Sequence, residues 1–134
     1  MDKIEILNQR AKGTMLEFLG IRFTAAGDDY LEATMPINER SCTPAGIGHG
    51  GALMSLAESV GSCLSFLNIN PEKQDVRGLE INGNHLAAAT GTVTARGTLL
   101  HRGRRTHVAE IKIRNEEGKL VNVSRMTNYV IDIA

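Results

Sequence analysis

A glycine-rich turn, Pro44-Ala45-Gly46-Ile47-Gly48-His49-Gly50-Gly51, runs directly into an apolar segment whose middle carries one carboxylate, Glu58. Glycines at a helix start leave backbone N–H groups free to polarise a carbonyl or hold an oxyanion. A glutamate can attack such a carbonyl or take a proton from water. Glu58 lies eight residues past Gly50, so it stands about 12 Å further along a helix and is turned around its axis. One carbonyl therefore cannot touch both groups of a single helix. If both act on one reaction, the second must come from another copy of the chain, with two helices antiparallel about a two-fold axis. The spacing predicts a site shared between protomers.

Other polar residues stand near this pair. His49 either shapes the turn or contacts a ligand. Ser62 is one turn past Glu58 on the same face and either holds water or is simply small. His85, within a strand-like run, is either a satisfied structural histidine or part of the site. Arg102, Arg104 and Arg105 make a basic loop that is either solvated surface or a phosphate contact.

Several elements must position these groups. Leu53, Leu56, Ala57, Val60, Leu64 and Leu67 recur at helical spacing and define one long helix. Its other side reads Met54, Glu58, Gly61, Ser62 and Ser65, a seam of small or polar side chains expected to invite dimerisation. Since the sheet must cover this helix, the Glu58 charge is expected to be covered and to need a partner or a role. A mixed segment over Lys3–Arg10 is helical at best. Thr14 is expected to cap a short helix over Met15–Leu19, with Glu17 closing a capping box and Gly20 ending it. Ile21–Ala26 and Tyr30–Met35 read as a hairpin around Gly27-Asp28-Asp29. After the helix, Val76–Leu86, Thr92–Leu100, Thr106–Arg114 and Leu120–Ile131 read as strands. In the third of these, Ala109, Ile111 and Ile113 alternate with Glu110, Lys112 and Arg114, as in an antiparallel sheet with one wet face. An α+β fold in which a curved antiparallel sheet wraps one long helix satisfies the order, because that helix needs several strands to cover its stripe.

Size and composition narrow the function. At 134 residues the chain is expected to be one domain, 1–134. Fifteen basic residues balance fifteen acidic ones, which gives no field favouring nucleic acid or an anionic membrane. Trp is absent and aromatics are few, so a base-stacking platform is not expected. No stretch has the length of a transmembrane span, and the charged N-terminal residues lack the apolar run of a signal peptide. Cys42 and Cys63 are too far apart for a metal knuckle and read as unpaired thiols of a cytoplasmic protein. No metal is expected.

Three segments carry a resemblance: Gly46-Ile47-Gly48-His49-Gly50-Gly51, Leu56-Ala57-Glu58-Ser59-Val60-Gly61-Ser62 and Gly78-Leu79-Glu80-Ile81-Asn82-Gly83-Asn84-His85. With the hairpin Gly27 to Pro36, they resemble hotdog-fold acyl-CoA thioesterases of the phenylacetate-pathway and 1,4-dihydroxy-2-naphthoyl-CoA hydrolase type, from about Leu19 onward. The resemblance implies Glu58 as nucleophile or general base, and the Gly50 N–H of the partner subunit polarising the thioester carbonyl. It implies that His49, Ser62 and His85 help position substrate or water. CoA would be held by Gly78, by His85 with Leu86, Ala87 and Ala88, and by His101, Arg102, Gly103, Arg104, Arg105 and Thr106.

Two departures stand out. Thr43 replaces a glutamine common in the family, so its hydroxyl would have to donate to the carbonyl or leave that task to Gly50. Leu86-Ala87-Ala88 lacks the basic and hydroxyl residues of relatives, a loss that Arg102, Arg104 and Arg105 could offset. The resemblance implies hydrolysis of an aromatic acyl-CoA, with 1,4-dihydroxy-2-naphthoyl-CoA of menaquinone biosynthesis as a candidate substrate, by a homodimer or homotetramer without a cofactor. Rival readings are an enoyl-CoA hydratase or dehydratase on the same fold, which would want His49 and Glu58 converging on one carbon, and a non-catalytic acyl-CoA-binding protein.

Overall fold

The computed structural model describes residues 1–133. Helix α1 (Lys3–Arg10) is better formed than the sequence suggested: the Asp2 carboxylate caps it by accepting the Glu5 N–H at 2.8 Å, and Leu7 is buried in the core. Helix α2 (Met15–Leu19) is capped by Thr14, whose hydroxyl accepts the Leu16 N–H, and ends at Gly20 with φ of 77°. The expected capping box closes one residue early, since Glu17 accepts from Gly13 rather than from Thr14.

Strands β1 (Arg22–Ala26) and β2 (Tyr30–Pro36) form the predicted hairpin. Helix α3 (Gly50–Phe66) follows, then β3 (Gln74–His85), β4 (Thr92–Arg102), β5 (Thr106–Arg114) and β6 (Leu120–Asp132). All neighbours in the six-stranded sheet, ordered β1-β2-β4-β5-β6-β3, are antiparallel.

Helix α3 lies across this sheet because its stripe Leu53, Leu56, Ala57, Val60 and Leu64 has matching inward residues to meet. These are Leu31, Ala33 and Met35 of β2, Val93 and Ala95 of β4, and Ala109, Ile111 and Ile113 of β5, all buried. Burying a side chain of this kind stabilises by about 2 kcal/mol; truncating the fully buried Leu56 to alanine would cost roughly 3 kcal/mol with its cavity. Two glycines set how closely the layers approach. A Cβ on Gly61 would come within 2.7 Å of Met126 Sδ, and one on Gly97 within 2.8 Å of Val60 Cγ1.

That contact corrects one expectation. The small-residue seam does not all face outward: Gly61 and Ser65 are buried against β6. The inner face of β6 there carries a polar row, Asn122, Ser124 and Asn128, all buried. Asn128 Nδ2 donates to Ser65 Oγ at 2.8 Å and to the Gly61 carbonyl at 3.1 Å, so the helix takes both hydrogens of this buried amide while its Oδ1 has no partner. Of the seam, Glu58 is exposed and Met54 and Ser62 are partly exposed.

The two sheet edges also differ. Strand β1 is short and bulged between Phe23 and Ala25, and the Asn8 side chain takes both the Phe23 N–H (2.9 Å) and its carbonyl (3.0 Å). Strand β3 is twelve residues long, half-exposed to exposed throughout, and bulged between Gly78 and Glu80.

Candidate active site

The residues singled out in the sequence fall at three stations along α3, whose ends are about 25 Å apart at 1.5 Å per residue. At the N-terminal station the loop before the helix is pinned by backbone bonds. His49 N donates to Ser41 O at 2.8 Å and Gly48 N to Ala89 O at 2.7 Å. His49 is the N-cap, with φ −67° and ψ 133°. Its Nδ1 accepts the Gly51 N–H at 2.8 Å, so its ring proton sits on Nε2. Its carbonyl accepts the Leu53 N–H at 3.0 Å. The Gly50 N–H has no acceptor among the described residues, which leaves it aimed along the positive end of a 17-residue helix.

A cleft of about 400 Å³ opens there, lined by Gly50, His85, Leu86, Ala87 and Ala88 with Ile47, Gly48 and Leu53. The structure thus brings His85 and the segment after it onto Gly50. A Cβ on Gly50 would lie 2.8 Å from His85 Nε2, so glycine is required for this contact. Thr43 sits in the adjoining turn. Its hydroxyl oxygen accepts the Ala45 N–H at 3.2 Å and its own N–H reaches Ile47 O at 2.7 Å; the hydroxyl proton remains available to donate.

At the middle station, the expectation that the sheet covers Glu58 is corrected. Glu58 is exposed in the protomer and has no hydrogen-bond or ion-pair partner among the described residues. It stands between two clefts. One, about 360 Å³ and mainly apolar, is formed with Met15 and Leu16 of α2 and with Ser55, Ser59, Ser62 and Cys63 of α3. The other, about 170 Å³, is formed with the β3 bulge at Gly78, Leu79 and Glu80. Gly78 leaves the carboxylate room: a Cβ there would lie 3.6 Å from Glu58 Oε2 and 3.0 Å from Met126 Cε. Ser62 Oγ approaches only Met126 Sδ, at 4.0 Å. Burial pushes the Cys63 thiol up to about 11, so it is not a nucleophile at neutral pH.

The third station, at the far end of α3, holds His101, Arg102, Gly103, Arg104, Arg105 and Thr106. Here the chain reverses between β4 and β5, with Gly103 N donating to Thr106 O at 2.9 Å. Arg105 pairs loosely with Asp132 at 3.5 Å. Arg102, Gly103 and Arg104 border a polar cleft of about 260 Å³ with Asn68, Gln74 and His107. His107 is 3% exposed and its Nδ1 has no partner; burial, with Arg102 and His101 nearby, holds its pKa below the usual histidine value. This station does not join the Gly50 cleft within one protomer.

His49 and Glu58 do not converge, since nine residues of one helix separate them. No group of three His, Cys, Asp or Glu side chains suited to a metal ion occurs among the described residues. No helix is long and apolar enough to cross a membrane.

A family profile described as the thioesterase superfamily matches residues 45–122, which takes in all of α3 with β3, β4 and β5. The chain belongs to the thioesterase superfamily. It is 46% identical to the 1,4-dihydroxy-2-naphthoyl-CoA hydrolase of Escherichia coli over 129 residues, 96% of this chain and 94% of the other. A solved thioesterase from Haemophilus influenzae superposes with a TM-score of 0.94 at 44% identity, over 98% of this chain and 92% of that one. Two solved mutants of a Staphylococcus aureus protein, described in one case as a thioesterase enzyme, also match. The glutamate-to-alanine mutant gives 0.86 at 35% identity over 89% and 99%, and the glutamine-to-alanine mutant 0.85 at 36% over 87% and 97%. This thioesterase therefore has the hotdog fold and hydrolyses thioesters.

Sequence reasoning did not pick out Asn122, Ser124 and Asn128, the buried polar row behind the site. The signal available was Arg125: a strand that sends its arginine to solvent must turn residues 122, 124, 126 and 128 inward.

Proposed function

We propose that this thioesterase hydrolyses aromatic acyl-CoA thioesters in sites built from two protomers. Glu58 of one protomer acts as nucleophile or general base, and the Gly50 N–H of the other polarises the carbonyl. The observation that carries this is a capped helix whose first N–H is unclaimed while its carboxylate, about 12 Å further on, is bare on the face the sheet leaves open. Two such helices, antiparallel and crossing near Met54, bring each amide to the other's acid. The open β3 edge supports the pairing, because twelve residues of half-exposed strand offer a second copy an unblocked margin.

The same arrangement gives the other stations a use. The 101–106 reversal of the protomer that supplies Glu58, beside Asn68, would lie about 15 Å beyond the carbonyl, where Arg102 and Arg104 can meet phosphates at the far end of CoA. The mainly apolar cleft beside Glu58 suits a ring. The Escherichia coli relative's name makes 1,4-dihydroxy-2-naphthoyl-CoA the first substrate to assay. In the Staphylococcus aureus protein the two mutated residues lie fifteen positions apart, as Thr43 and Glu58 do in this chain, which supports a role for both positions. Thiolate is a good leaving group, so water, Glu58 and the amide suffice and no cofactor is required.

Subunit mixing tests the composite site. Glu58→Ala and Gly50→Ala variants are each made inactive or nearly so, then exchanged by mild denaturation and refolding together. A mixed dimer holds one intact site, so random exchange should restore about a quarter of wild-type sites. No recovery despite demonstrated exchange overturns the reading.

A further inference from the structure

We propose that Asn122 is a positioning residue that holds His85 in its Nε2–H tautomer, so that His85 stands beside Gly50 as a second hydrogen-bond donor to the scissile carbonyl. This rests on the Gly50 half of the proposed site.

Asn122 is fully buried, and an amide in such a place is costly unless its hydrogen bonds are made. Its partners are a ring nitrogen, a thioether and a hydroxyl, the hydroxyl itself lying 3.5 Å from Met54 Sδ. Its Nδ2 lies 3.1 Å from His85 Nδ1 and 3.6 Å from Met54 Sδ, so its two hydrogens meet two acceptors. Its Oδ1 accepts the Ser124 hydroxyl at 2.7 Å. The reversed amide would set oxygen against sulfur and lose that match. His85 Nδ1 is therefore the acceptor, and the neutral ring carries its proton on Nε2.

That nitrogen is the one packed on Gly50, 2.8 Å from where a Cβ would stand, and the ring lines the same cleft as the free N–H. A developing oxyanion is best held by two donors fixed before reaction. The backbone of α3 supplies one, and His85 supplies the other only while its tautomer is held. Ser124 takes part at one remove, because its hydroxyl keeps the Asn122 amide from turning over.

The test joins kinetics to ring ¹⁵N NMR, with His85 assigned by the signal lost in His85→Gln. The wild-type spectrum should show the Nε2–H form for His85. Asn122→Leu should show a mixture, lower kcat roughly tenfold and leave KM within about twofold. In the His85→Gln background the same substitution should cost nothing more, since the two act as one unit. Ser124→Ala keeps the amide and should move spectrum and kcat in the same direction by a smaller amount. It carries the test if Asn122→Leu does not fold. An Nδ1–H wild-type ring, an unchanged kcat, or losses that multiply in the double variant overturn the proposal. Loss of turnover in Glu58→Ala alongside any of these results would leave the composite site standing and remove only the role of Asn122.

Discussion

The two halves of the proposed site are built in opposite ways. Around Gly50 every neighbour is fixed within the protomer: His49 caps the helix, Ser41 and Ala89 hold the loop, and Asn122 and Ser124 back His85. Around Glu58 almost nothing is fixed; the carboxylate has open cleft on both sides and no partner among the described residues. A dipole that must point at a developing charge gains from being set rigidly in advance. The role proposed for Glu58, taking a proton from water or attacking carbon, excludes a permanent donor, and in the proposed composite site substrate and a second copy complete its surroundings.

The largest effect should follow from breaking the bare half. Glu58→Gln keeps the shape and removes the base, and kcat should fall by about 10³-fold or more with the melting temperature near wild type, read by steady-state thiol release and calorimetry. Near-normal turnover would remove the acid from the mechanism. Breaking the rigid half should cost less. Gly50→Ala pushes a methyl into His85 Nε2 and should lower kcat by about 10²-fold in the same thiol-release assay, with an unchanged kcat removing the amide from the mechanism. Adding to the rigid half should help slightly: Thr43→Gln offers a longer donor from the turn and should raise kcat a few-fold, with no change arguing that the position is purely structural.

The smallest effect concerns the thiol beside the acid. Burial raises Cys63 from 9.0 to about 11, so the unfolded chain loses this proton first as pH rises. The contribution to stability is fully present below pH 9.0 and is lost as pH climbs through about 11. Removal of the thiol in Cys63→Ser should flatten that part of the alkaline stability curve. In the native protein at pH 8, iodoacetamide should leave Cys63 unmodified, as mass spectrometry would show.

Much of the layout was legible in the sequence. Thr106–Arg114 is a strand with the bounds read from its alternation, and the other three strands after the helix differ by two residues or fewer at each end. The helix boundary was legible because glycine, histidine cap and apolar stripe agree there. The orientation of the helix's second side was not. Gly61 and Ser65 look like surface until β6 supplies Asn128, and Asn128 looks like surface until α3 supplies a carbonyl and a hydroxyl. Each polar residue hides its burial behind a partner more than sixty positions away, which no local pattern reports. The exposure of Glu58 was missed for the converse reason. Helical spacing states which side of α3 is greasy, but not how far around it the sheet reaches.

The Asn8 side chain, closing both backbone groups of Phe23, leaves the two margins of the sheet unequal. A strand arriving at β1 would find the Phe23 groups already taken, whereas one arriving at β3 meets no such side chain. The residue that ties the N-terminal helix to the sheet thus also works against strand addition at that rim.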